Sequence, residues 1–172
     1  MGGKSNPEKI LNDTLLFIIK ILNANDIKNW FIGYGTLLGI VRRNSCIDGD
    51  DDVDIVIDRV NYDKVKQVLV ENGIKVDYRH GNVNARNFLK TIPTEKYCSV
   101  DFYMASVDID GNYNDIWEGV VWSECNDLIR REWNEEILYL PKNYETKLLN
   151  RYGKDWRIPQ ISKGPMPRKK II

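Results

Sequence analysis

The chain concentrates its acid in one place. IDGDDDVDIVID carries Asp48, Asp50, Asp51, Asp52, Asp54 and Asp58, with no lysine or arginine between Asn44 and Asp58. A solvated acidic loop does not need interleaved Val and Ile, and a buried strand does not tolerate acids. DVDIVID alternates as a strand does. With a period of two, Val53, Ile55 and Ile57 share the core face, while Asp52, Asp54, Val56 and Asp58 share the other. Asp52 and Asp54 then stand side by side, roughly 7 Å apart along the backbone. Carboxylates that close repel unless one is protonated or a cation lies between them. A divalent ion such as magnesium, or manganese in its place, held by oxygens, suits this spacing.

A third acid follows the same grammar. In CSVDFYM, Val100, Phe102 and Met104 make one face and Asp101 points to the other. Beside the first strand, Asp101 completes a three-carboxylate cluster of the kind that supports metal-assisted phosphoryl transfer. Asp50 is a further candidate next to the pair. Upstream, GYGT ends a strand and opens a helix. Gly35 permits close backbone approach, and the helix start at Thr36 offers N–H groups to phosphate oxygens. Arg42, one to two turns on, can pair with a phosphate. An EF-hand does not fit, because Val53 stands where that loop needs glycine and Arg59 where it needs glutamate. A solvated edge strand accounts for Asp-x-Asp alone, but not for GYGT upstream and VDF downstream.

These residues need elements to position them. Asn6 and Pro7 read as cap and first turn of an amphipathic helix over 7–25, with Leu11, Leu15, Ile18 and Leu22 on its apolar face. Trp30 to Gly35 reads as a short buried strand, and TLLGIVRR as a short helix. NYDKVKQVLVENG is a helix capped by Asn61 and ended by Gly73. IKVDYR and NARNFLKTI read as strands joined by the turn HGN. YCSVDFYMASVDI is another strand, followed by a hairpin turn at Asp110 to Asn112. A tryptophan-rich stretch reads as irregular, and PKNYETKLLNRYG as a last helix closed by Gly153. Alternating helices and strands, with consecutive strands in the middle, give an α/β (α+β) domain with a mixed sheet flanked by helices.

The bulk numbers agree with one compact domain over 1–172. Lysine plus arginine and aspartate plus glutamate both total 25, so no global charge draws the chain to nucleic acid or an anionic membrane. The basic stretch at 163–172 reads as a short exposed tail. No secretory signal or transmembrane segment is read: the most apolar early run, Leu15 to Leu22, is short and contains Lys20. Cys46, Cys98 and Cys125 are widely spaced and odd in number, which points to free thiols and a cytoplasmic protein. A Cys3His site with His80 is the weaker alternative. His80, the only histidine, falls at a hairpin tip and reads as a solvent-exposed turn residue. Trp117, Trp122, Trp133 and Trp156 are read mostly as core, with Trp156 the candidate sugar-facing ring. Arg86, Lys90 and Arg157 are candidates to line an anion-binding cleft, against a plainly solvated role.

The combination Gly-Thr, hydrophobic-flanked Asp-x-Asp and a lone Asp on a later strand resembles the nucleotidyltransferase fold of the DNA polymerase β type. More closely, GTLLGIVR followed by IDGDDDVDIVID resembles the LicD family, which includes bacterial phosphocholine transferases and fukutin-related ribitol-phosphate transferases. The ending YLPKNYETKLLNRYGKDWRIPQ is similar too, so the likeness spans about residues 28–160. Asp48 and Gly49 depart from it, standing where the family carries Pro-Trp. The resemblance implies transfer of a phospho-alcohol from a CDP-linked alcohol donor to a glycan acceptor, with release of CMP. It also implies Mg2+ held by Asp52 and Asp54, Asp101 on a second ion or as general base, and Gly35, Thr36, Arg42 and Asp50 facing the substrate. The alternatives are NMP transfer from an NTP to a small-molecule hydroxyl, with release of pyrophosphate, and a non-catalytic binding module on the same fold.

Overall fold

The computed structural model describes residues 3–80, 85–160 and 172. Helix α1 (Glu8–Ala24) comes first, then β1 (Trp30–Ile32), α2 (Tyr34–Arg43) and β2 (Asp52–Asp58). A 3₁₀ turn at Arg59–Asn61 leads into α3 (Tyr62–Glu71). The strands β3 (Phe88–Lys90), β4 (Ser99–Val107), β5 (Tyr113–Asp115), β6 (Val120–Trp122), β7 (Ile129–Trp133) and β8 (Glu136–Leu140) precede α4 (Tyr144–Tyr152). The main sheet runs β1-β2-β4-β5-β6, with β3 also paired to β4, while β7 and β8 form a separate hairpin. β2 and β4 are parallel and every other pair is antiparallel. The result is the mixed sheet flanked by helices that the residue pattern implied. Among the described residues, no helix is long and apolar enough to cross a membrane.

The parallel pair positions the acids. Its crossover carries α3 and β3, and its register sets Asp54 directly opposite Asp101. Leu11, Leu15, Ile18, Ile19 and Leu22 of α1 are buried against the face opposite the acids. Thr14 and Ile18 share one cleft with Val100, and Thr14 Oγ1 accepts from the Cys98 N–H at 3.0 Å. α2 covers the acid-bearing face through its first turn. β2 is therefore buried on both sides from Val53 to Ile57. Val56 lies under Gly33, where an added Cβ would meet its Cγ2 at 2.8 Å.

Several local expectations are corrected. Asn6 does not cap α1; its side chain donates to Lys4 O and Asp51 O at 2.8 and 2.9 Å. Asp48 supplies the cap instead, accepting from the Glu8 N–H at 2.9 Å. Gly49 beside it takes φ +89° and donates to Asn6 O at 2.9 Å, a left-handed conformation that favours glycine. Asn61 likewise makes no cap bond to α3 and donates to Lys28 O at 2.9 Å. β1 stops at Ile32, because Gly33 already caps α2. The expected strand at 74–79 reduces to one bridge, Val76 to Thr91; Arg79 turns back onto Asp77 there at 2.7 Å. The HGN turn falls partly on 81–84, outside the described residues. The tryptophan-rich stretch is not irregular but holds β5 to β8. Most of the basic end, 163–171, also lies outside the described residues. Ile172 is buried and bonds Val121 and Ser123, so it is not exposed.

Candidate active site

Three elements converge on one carboxylate. Asp54 Oδ2 accepts the Gly35 N–H at 3.0 Å and Oδ1 accepts the Tyr103 hydroxyl at 3.2 Å. The Asp54 N–H donates to Thr36 Oγ1 at 2.8 Å. The Gly-Thr pair therefore holds the acid, and the Gly35 amide is already engaged by it. Gly35 is needed sterically, since an added Cβ would lie 2.6 Å from Asp50 Oδ2. Tyr34 beside it has φ 46°, and its hydroxyl donates to buried Asp115 at 2.5 Å.

Asp52, Asp54 and Asp101 bring carboxylate oxygens within 4.8 Å of one another, and Asp50, Asp51 and Asp52 do the same. Burial, then the charges of Asp52 and Asp101, pushes the Asp54 carboxyl well up. Burial, then the Asp101 charge, pushes Asp52 up to about 8. Asp50 is raised to about 6, chiefly by burial. The one cation bonded to the triad among the described residues is Lys90, whose Nζ lies 2.5 Å from Asp101 Oδ1 and 3.5 Å from Asp52 Oδ2. Buried oxygens in excess of their cations are the donor set a hard divalent ion takes. Asp52 and Asp54 fit such an ion.

The acids open on a cleft of about 520 Å³. Asp50, Asp51, Asp52 and Asp54 line it; Asp101 and Lys90 do not, and back the pair from the β3 side. Arg151 and Tyr152, at the end of α4, also line the cleft. The Arg151 guanidinium lies 4.7 Å over the Tyr34 ring and 3.8 Å from Glu118. Its buried Nη1 has no hydrogen-bond partner among the described residues. An arginine so placed can receive a phosphate oxygen.

Gly35, Thr36, Asp50, Asp52, Asp54 and Asp101 thus come together as the sequence suggested. Arg42 does not join them. Its Nε donates to Trp156 O at 2.5 Å and its Nη2 to Ile158 O at 3.3 Å, so it ties down the segment after α4. Arg86 pairs with Asp63, and Arg157 pairs with Glu145 at 2.5 Å; neither lines the cleft. Trp156 is buried under Arg157, Trp122 and Trp133 are core, and Trp117 stacks on Phe88. His80 is half exposed near Asp77, and all three cysteines are free and buried. Arg151, Tyr34 and Tyr103 were not singled out by sequence pattern. The nearest signal for Arg151 was its place in the family-like ending.

Among solved structures, the lincosamide antibiotic adenylyltransferase LnuA, in a lincomycin-bound crystal structure, is similar over 84% of this chain and 88% of its own, at 18% identity and a TM-score of 0.61. A Thermotoga maritima protein described as a nucleotidyltransferase matches over 77% of this chain and 78% of its own, at 18% identity and a TM-score of 0.47. No curated protein matches the chain. LnuA shows the fold to be that of the nucleotidyltransferases. The family pattern described as LicD/FKTN/FKRP, nucleotidyltransferase domain, matches residues 28–147, a span that includes β2, β4 and all of the clustered acids. The chain belongs to the LicD/FKTN/FKRP nucleotidyltransferase-domain family and is a transferase.

Proposed function

We propose that this transferase moves a phospho-alcohol, phosphocholine or a similar group, from a CDP-linked donor to a glycan hydroxyl and releases CMP. The observation that carries the reading is the Asp52 and Asp54 pair lining a cleft that Arg151 also lines. Asp52 and Asp54 would hold Mg2+, with Mn2+ able to replace it. Such an ion neutralises diphosphate charge and stabilises the leaving nucleotide. Arg151, which lines the cleft, would donate to a phosphate oxygen. Gly35 and Tyr103 hold the Asp54 carboxylate in place. Outside the ion-holding pair, Asp48, Asp50, Asp51 and Glu118 line the cleft and Asp101 does not. Asp50, whose carboxylate lies with that of Asp54 against Gly35, is the acid assigned to meet an acceptor hydroxyl.

The same carboxylates would serve transfer of NMP from an NTP, the class of reaction named for the adenylyltransferase that shares the fold. Products separate the two readings. The purified chain is incubated with Mg2+, a glycan acceptor and CDP-choline, CDP-ribitol or CDP-glycerol, and in parallel with each NTP and small hydroxylated acceptors. Release of CMP that stops on chelation supports the first reading. Pyrophosphate from an NTP, with no CMP, replaces it with the second. Release of neither points to a binding module.

A further inference from the structure

Lys90 occupies an unusual position for a basic residue beside a metal-binding cluster. It ends β3, in direct register with Asp101 on β4, and Asp101 is in direct register with Asp54 on β2. Residues directly opposite on neighbouring strands point to the same face. Lys90, Asp101 and Asp54 therefore form one row across three strands. The Lys90 ammonium is 2.5 Å from Asp101 Oδ1 and 3.5 Å from Asp52 Oδ2, and its side chain is 22% exposed. These two ion pairs hold the ammonium in place between Asp52 and Asp101. Neither Lys90 nor Asp101 reaches the cleft lining, whereas Asp52 and Asp54 do.

We propose that this site works with one divalent ion and not two, because the Lys90 ammonium fills the place between Asp52 and Asp101 that a second ion would need. The inference rests on the metal reading of Asp52 and Asp54 given above. In it, Asp101 is a positioning residue. It anchors Lys90, and Lys90 offsets the charge of Asp52 from behind while the cleft side stays open for the single ion. An ammonium can supply that charge without demanding coordination geometry. It offers no open position to an incoming hydroxyl, so activation of the acceptor falls to the acids that line the cleft.

Mn2+ titration of the full chain, followed by the EPR signal of the free ion, counts the sites directly and needs no substrate. The wild type should saturate at one ion per chain and Lys90→Met at two. The double variant Lys90→Met/Asp101→Asn removes the pair without leaving a lone charge, so it should bind one ion with affinity within about threefold of wild type. Two ions in the wild type, or one in a folded Lys90→Met, overturns the inference. A loss beyond about tenfold in the double variant also overturns it, because Asp101 would then be a ligand of the single ion. If Lys90→Met fails to fold by circular dichroism, the wild-type count and the double variant decide. No binding in the wild type overturns the metal reading itself, and this inference with it.

Discussion

Asp54 and Asp101 are direct register partners on the two parallel strands, which brings acids 47 residues apart in sequence to neighbouring places on one face of the sheet. Neighbouring strands are only about 4.8 Å apart, so the pair carries a repulsion that the fold tolerates. Asp52 adds its own charge against Asp54, and relief of that repulsion is measurable. Asp52→Ala should abolish divalent-ion binding and turnover while raising the melting temperature of the metal-free protein by a few degrees, on the order of 1 kcal/mol. Asp54→Ala should not show that gain, because it strands the Gly35 N–H and the Tyr103 hydroxyl, each at about 1–3 kcal/mol. Calorimetry with and without Mg2+ checks both. An Asp52→Ala protein that keeps full activity removes the metal assignment.

Gly35→Ala tests the close approach of α2 to the acids. The new Cβ would lie 2.6 Å from Asp50 Oδ2, and that carboxylate must swing away. The expected result is a fall in turnover of about tenfold or more with a stability change under about 2 kcal/mol, since a side chain rather than backbone gives way. Unchanged kinetics would mean that the placing of Asp50 is irrelevant.

Arg151 and Arg42 should separate cleanly. Arg151→Ala removes a charge-assisted contact of about 1.5–3 kcal/mol and should raise the KM for the nucleotide donor roughly 10- to 100-fold. Arg42→Ala loses bonds to Trp156 O and Ile158 O. It should lower stability by about 1–2 kcal/mol and leave KM nearly unchanged. Steady-state kinetics beside thermal melts distinguish the two, and the reverse pattern would restore Arg42 to the site.

Asp52 sets the pH response. Its carboxyl is pushed up to about 8 from an ordinary 3.8. A raised acid favours the metal-free fold below the ordinary value and loses that contribution as pH climbs through the folded one. The metal-free protein should therefore weaken between about pH 4 and pH 8. Ion binding needs both Asp52 and Asp54 as carboxylates and expels the protons they hold, so affinity should rise from pH 6 to 8, by up to about tenfold per unit for each proton released. Titration calorimetry in buffers of different ionisation enthalpy reads the released proton. A flat affinity over that range contradicts the assignment.

Asp48→Ala should act on folding. The residue caps α1 through Glu8, and loss of such a cap costs about 0.5–2 kcal/mol. Asp48→Asn, which keeps an acceptor oxygen, should retain most of the stability in a denaturant melt. Equal losses in both variants would show that the cap bond is not what Asp48 contributes.

Short-range pattern was enough to read much of this protein. The alternation of DVDIVID placed Asp52 and Asp54 on one face because strand geometry has a period of two, and that holds wherever the strand sits. The same logic placed Asp101 on β4, and helical spacing placed the apolar face of α1; the second helix was read from Thr36 and opens two residues earlier, at Tyr34. Pattern failed where a partner distant in sequence decided the outcome. Asn6 and Asn61 had the chemistry of caps, yet each found a carbonyl elsewhere in the chain. Arg42 sat one to two turns from the Gly-Thr pair, but its helix face turns toward the segment after α4. Arg151 read only as part of the family-like ending, and Lys90 only as a candidate for an anion-binding cleft. One reaches the cleft only because α4 packs beside Tyr34, and the other meets Asp101 only through the register of β3 on β4. The local period orients a side chain on its own element. Which charges then stand within a few ångströms of one another is set by packing and register, which tertiary structure alone decides.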